Sequence, residues 1–280
     1  MACSRASRHL GSKWEGDCNC LEGDTGDSGI DKCSGFQYNG FDIEDGPLTG
    51  FQPGVFNGLD KCDDIQINEN DIASIPNNLL WGMTALNTFS LRGNNITSIP
   101  SGAFAGATNL YKLDLEDNSI ADIDPGAFVG LPNLGNLDLD DNELSGTFDP
   151  TPFRDLGGPG SDFILSLDYN RLSSIGPEAF AGISELYSLS LSDNAISSMD
   201  DAAFVGLDEL EWLYISNNSL VGPLSPKIIS PQMSTALDGL YVGDQGPGFC
   251  VYADSIPDTV TYTDTGDYLC GQAPRPAPQD

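Results

Sequence analysis

Carboxylates, aromatic rings and cysteines are the side chains of this sequence that could do chemistry, and the first two recur on a fixed spacing. Asp114, Glu116 and Asp117 return 24 residues later as Asp138, Asp140 and Asp141, and Asp168 continues one of these rows 28 residues further on. A regular fold that laid these rows side by side would crowd negative charge and invite a cation, either Ca²⁺ or the basic side chains of a protein. Phe163, Tyr169, Tyr187, Trp212, Tyr214 and Tyr241 extend the same rows with aromatic side chains. Exposed Tyr and Trp beside charge are anchor chemistry for protein or glycan ligands, while rings that only cover backbone would shrink that set.

Catalysis has little to work with. His9 is the single histidine, which removes every multi-histidine zinc site. Gly26-Asp27-Ser28-Gly29 copies the tetrapeptide around a serine-protease nucleophile, but nothing around it could build the fold that activates such a serine, and it reads as a Gly/Asp/Ser-rich loop. The stretch from Asp24 to Asp31 could hold Ca²⁺ loosely and lacks the EF-hand spacing. The chain is therefore read as a non-enzyme.

The elements that must position these groups are set by seven asparagines. Asn70, Asn94, Asn118, Asn142, Asn170, Asn194 and Asn218 stand 24, 24, 24, 28, 24 and 24 residues apart. Around six of the seven, apolar residues fall eight, five and three positions before and two after, as with Leu110, Leu113, Leu115 and Ile120 around Asn118. A sustained period of this size means a solenoid. Alternate side chains of a short strand point the same way, so the residues five and three before each asparagine enter one core. The asparagine follows at a bend, where its amide can satisfy backbone groups that the turn leaves unpaired. A second apolar column ten residues beyond, Phe56, Leu80, Phe104, Phe128, Phe180 and Phe204, with the slightly shifted Phe153 in the same role, fills the other side. No single unit closes this core, so the stack is stable only as a whole.

The comb resembles the leucine-rich repeat, LxxLxLxxNxL, over residues 38–247, with Gly46 and Gln245 in the first and last asparagine slots. The resemblance implies an α/β solenoid: a curved, right-handed superhelix with a parallel sheet on its concave side and a mostly irregular or 3₁₀ convex side. The organisation expected is a cysteine-containing N-terminal cap at 1–37, about nine units at 38–247, a C-terminal disulfide cap at 248–271 and a Pro-rich tail at 272–280. An unbroken repeat argues for one elongated domain rather than two. Gly157-Gly158-Pro159-Gly160, in the long unit, is expected to be a tolerated loop away from the strands.

Family members outside the cell carry disulfide-stapled caps, which fits the placement of the cysteines. The interleaved pairing usual in such caps implies Cys3 with Cys20 and Cys18 with Cys33. Gly-Pro-Gly-Phe-Cys250 resembles the opening of a two-cysteine C-terminal cap, with Cys270 as its mate. Cys62 occupies the slot of Leu86, Leu110 and Leu134 and is expected to be a buried free thiol acting as a small hydrophobe. Cysteines gathered at caps point to an oxidising, extracellular or cell-surface setting. The sequons Asn95-Ile-Thr97 and Asn217-Asn-Ser219 agree with it.

Lys and Arg number 11 against 42 Asp and Glu, a net charge of -31, which disfavours nucleic acid and anionic membranes. No signal peptide or bilayer-spanning stretch is legible, and the tail from Ala273 has linker composition. The expected function is non-catalytic recognition of a protein, a basic one by charge, through Asp114, Glu116, Asp117, Asp138, Asp140, Asp141, Asp168, Tyr169, Tyr187, Trp212 and Tyr214. The alternative is a structural module of a surface or matrix assembly, bridged by Ca²⁺.

Overall fold

The computed structural model describes residues 40–44, 46, 48–154, 156–158, 160–183, 185–229, 236–252, 256, 258, 260, 262–263 and 269–270. Cys3, Cys18, Cys20, Cys33, His9, the Gly26–Gly29 tetrapeptide and the tail at 272–280 lie outside the described residues. The chain forms two compact units, Met1–Asn142 and Glu143–Asp280. Their junction falls where the 24-residue step gives way to the 28-residue one.

In Met1–Asn142, each unit contributes one three-residue strand to a parallel sheet: β1 (Gly40–Asp42), β2 (Asp64–Gln66), β3 (Thr88–Ser90), β5 (Lys112–Asp114) and β7 (Asn136–Asp138). The register is unbroken, so Ser90, Asp114 and Asp138 stand in one row. A second, two-stranded parallel sheet pairs β4 (Ser98–Ile99) with β6 (Asp122–Ile123). Between the sheets the alternation buries Phe89, Leu91, Leu113, Leu115, Leu137 and Leu139 completely. The phenylalanine column closes the core, with Phe104 and Phe128 stacked at 6.2 Å.

Glu143–Asp280 repeats the plan with β9 (Phe163–Ser166), β11 (Leu186–Ser190), β13 (Trp212–Tyr214), β14 (Gly239–Tyr241) and β15 (Tyr262–Thr263). Its second sheet is β8 (Ser145–Thr147), β10 (Arg171–Ile175) and β12 (Ser198–Met199). The 28-residue unit accommodates its extra length with a 3₁₀ turn, Thr151–Phe153, and a loop in which Gly160 N donates to Glu185 Oε2 at 2.8 Å. Phe148, unassigned by the comb, packs between Phe153 and Phe180 at 5.2 and 4.8 Å and carries the ring column through this unit. Both units are parallel-sheet solenoids. Among the described residues no helix is long and apolar enough to cross a membrane.

The asparagine ladder works as a shared clamp. Asn94 donates through Nδ2 to Ile67 O and Leu91 O, both at 2.9 Å, and its Oδ1 accepts from Ile72 N at 3.1 Å. Each asparagine thus ties its own bend to the preceding unit. Gln245 takes over at the end, with Nε2 donating to Ile215 O and Oε1 accepting from Leu220 N.

Candidate functional site

The residue before each ladder asparagine adopts a left-handed conformation: φ is 51° at Glu69, 56° at Asp117, 55° at Asp141, 54° at Asp193 and 52° at Asn217, and Gly93 takes 65° in the same slot. Only Gly, and to a lesser degree Asn and Asp, visit this region readily. Asp117 and Asp141, expected as ligand residues, therefore have a local reason to be acidic. Tyr169 occupies this bend at φ 53° with 57% of its surface exposed, and for a bulky side chain that backbone is strained.

Asp114 and Asp138 also serve the backbone. Asp114 Oδ1 accepts from Glu116 N at 3.3 Å, and Asp138 Oδ1 accepts from Asp140 N at 3.1 Å, satisfying donors just past each strand end. Asp114, Glu116 and Asp138 converge, each offering one carboxylate oxygen, with these atoms within 4.8 Å of one another. Two cations answer them: Arg92 pairs with Glu116, and Lys112 Nζ lies 3.5 Å from Asp114 Oδ2. Sequence reasoning missed Lys112 because it gathered acids and rings, although Lys112 stands six residues before its ladder asparagine just as Trp212 does. Asp140 is half-buried in the same row as Glu116. Asp168 belongs to the other unit, where its carboxylate accepts from Ser190 Oγ and Ser192 N at 2.6 Å.

Burial raises the Glu116 carboxyl above its ordinary value; the Arg92 guanidinium opposes this, and the neighbouring Asp138 and Asp114 add to it. Burial also raises Asp138, against the hydrogen bond from Asp140 N, with Asp114 adding to the rise. A folded-state pKa above the unfolded one means that folding favours the protonated form. The stabilisation it brings is full below the unfolded value and is lost as the pH rises through the folded one. Asp138→Asn keeps the Oδ1 acceptor and removes the charge. It is expected to be more stable than the parent at pH 7, with the gain lost as the pH falls through the carboxylate range to about pH 3. Melting curves at the two pH values check this.

The aromatic rows come together in Glu143–Asp280. Tyr214 and Tyr241 are register partners on β13 and β14, their rings 4.7 Å apart and 8° from parallel. That spacing matches the distance between strands, so each ring covers the other's face and the pair turns its edges outward. Trp212 lies 11° from the plane of Tyr214 and donates Nε1–H to Tyr187 Oη at 3.2 Å. Gly239 makes room for it: a Cβ there would stand 2.4 Å from Trp212 Cε3. Desolvation raises the Tyr214 hydroxyl pKa, with Tyr241, Tyr187 and Asp168 adding to it. Tyr187, Trp212, Tyr214 and Tyr241 are all half-buried, whereas Phe163 is fully buried. Phe163 was expected on the outer face. A register shift between Leu186 and Ser188 sets it opposite Leu186, in the core slot.

Cys250 and Cys270 are joined, with Cα atoms 4.9 Å apart, beside the paired Pro223–Cys250 and Val251–Leu269 bridges. Cys62 corrects the sequence reading. It is fully buried in the leucine slot, yet it is disulfide-bonded rather than a free thiol. Its partner lies outside the described residues, as do the expected pairings Cys3–Cys20 and Cys18–Cys33. Asn95 and Asn217 are exposed.

Stacked one-strand units clamped by asparagine define a repeat solenoid that presents a patterned strand face, a class built for contact with other molecules. The leucine rich repeat profile matches residues 41–96, 84–144 and 164–220, more than half of the chain. The chain belongs to the leucine-rich repeat family. Among solved structures it is similar to the TLR13–ssRNA13 complex, at 25% identity and a TM-score of 0.66 over 74% of this chain and 28% of that one. It is also similar in fold to a leucine-rich repeat protein of Leptospira interrogans, at 21% identity and a TM-score of 0.53 over 79% of this chain and 59% of that one. The chain thus spans less than two thirds of either neighbour. No curated protein matches it in sequence.

Proposed function

We propose that the chain is an extracellular recognition module that binds a basic protein, without catalysis, through the outer strand face of Glu143–Asp280. The observation that carries this reading is the array of Tyr187, Trp212, Tyr214 and Tyr241 near Asp168. The carboxylates of Asp114, Glu116 and Asp138 have backbone or ion-pair duties, whereas the four rings are gathered in one half-buried group on neighbouring strands. Phenol oxygens and a carboxylate can accept from a Lys or Arg side chain presented by a partner, whose apolar stem packs along the rings. Tyr169 supports the reading, because a strained, exposed ring in a bend suited to Asp or Asn is most simply retained for contact. The disulfides at Cys62 and Cys250 support an oxidising setting.

Calorimetry with deca-lysine and deca-arginine peptides, against deca-glutamate, tests this. The basic peptides should bind with a steep salt dependence, and Trp212→Ala with Tyr214→Ala should weaken them on the order of tenfold or more. Tyr169→Asn should weaken binding and raise the melting temperature together, since Asn tolerates the bend. Affinities unchanged in both variants would sink the proposal. The RNA named with the TLR13 structure makes single-stranded RNA a necessary control, although a net charge of -31 opposes a polyanion.

The convergence of Asp114, Glu116 and Asp138 favours a second reading, a structural module bridged by Ca²⁺. Arg92 and Lys112 already offset much of that charge, which places it second. Under it, Ca²⁺ should raise the melting temperature, and replacing the three acids by their amides should abolish the rise.

A further inference from the structure

We propose that Asn217 is an N-glycosylation site whose occupancy controls access to the aromatic array. The modification rests on the extracellular setting proposed above, and the control rests on the recognition role. The two asparagines of this sequon are distinguished by the fold. Asn218 is a ladder residue, 8% exposed, and its Nδ2 donates to Leu191 O, Ile215 O and Ser216 O, so its amide is closed to chemistry. Asn217 stands one residue off the ladder, exposed, in the left-handed bend at φ 52°. Its backbone N donates to Gly243 O at 2.8 Å, which fixes the bend, and Ser219, whose hydroxyl completes the sequon, is exposed as well.

The Asn217 amide donates to Asp193 Oδ1 through Nδ2. An amide nitrogen carries two hydrogens, and glycosylation replaces one. Nδ2 attacks the anomeric carbon of a lipid-pyrophosphate-linked oligosaccharide. The sugar–phosphate bond breaks, the lipid pyrophosphate leaves, and the displaced amide proton passes to a base of the transferase. The remaining N–H keeps Asp193, so the product fits the bend as it stands. Asn217 follows Tyr214 by three residues and so lies at most roughly 10 Å from it, within reach of a branched oligosaccharide that would cover Tyr214 and Trp212. Asn95 provides an internal comparison: it is exposed, donates to Asp71 Oδ1 at 3.3 Å and is followed by an exposed Thr97, but it belongs to the unit without the array.

The test uses the whole chain, secreted behind a cleavable leader from a glycosylating host, with Trp14 and Trp81 replaced by Phe so that Trp212 alone emits. Peptide mass mapping after enzymatic deglycosylation in heavy-oxygen water should mark Asn217 as occupied. Acrylamide quenching of Trp212 should rise about twofold in Ser219→Ala, which removes the sequon but keeps Asn217, and should stay constant in Thr97→Ala. An unoccupied Asn217 overturns the modification. An occupied Asn217 with equal quenching in both variants overturns the control of access. Neither result touches the recognition proposal itself, which is read separately by peptide binding to protein made without glycans.

Discussion

Asn94→Leu is expected to cost about 3–5 kcal/mol of stability, and Asn109→Leu about 1 kcal/mol or less. Asn94 is 5% exposed and holds four backbone groups, Ile67 O, Leu91 O, Arg92 O and Ile72 N. Leucine fits the volume but leaves those groups without their partner in a site that water does not reach, and each buried loss costs about 1–3 kcal/mol. Asn109 is a meaningful comparison because it also bridges units, through Nδ2 to Thr84 O at 2.7 Å, but on an exposed edge where water replaces the bond. Urea unfolding of both variants decides the matter. Equal, small losses would mean that the ladder is not what couples the units.

The fold was legible because its determinants are periodic. A leucine three residues before an asparagine has one meaning on each occurrence, and the same inward row is buried in unit after unit. The site was less legible, because one residue type answered several demands at once. Asp117 and Asp141 suit a left-handed bend, Asp114 and Asp138 accept from the backbone two residues on, and Asp168 accepts from Ser190 and Ser192. A row of acids read off the ruler therefore overstated the free negative charge of the face. The bend could have been inferred from Gly93 and Asn217 sharing a slot with Asp117 and Asp141, since Gly, Asn and Asp together mark positive φ. Phe163 was misplaced for the opposite reason: the ruler assumes an even step, and the long unit shifts register by one residue. The shelf that Gly239 makes for Trp212 is a contact between units that no single-unit pattern displays.

Cys62→Leu provides the sharpest test of where a position and its chemistry part company. The slot takes leucine in later units, as at Leu86, Leu110 and Leu134, and all three are fully buried there. Were Cys62 only a small hydrophobe, leucine would fill the site better, and the variant would be as stable as the parent or more so. Because Cys62 is disulfide-bonded, the replacement keeps the apolar core and removes a cross-link. The expected result is a loss of about 2–4 kcal/mol, the typical contribution of a native bridge. Reductant would also open Cys250–Cys270, so the comparison belongs in a background carrying Cys250→Ala and Cys270→Ala. There, reductant should lower the melting temperature of the parent further than that of the Cys62→Leu variant. A Cys62→Leu protein that melts at or above the parent under oxidising conditions would return this cysteine to the role its sequence slot suggests.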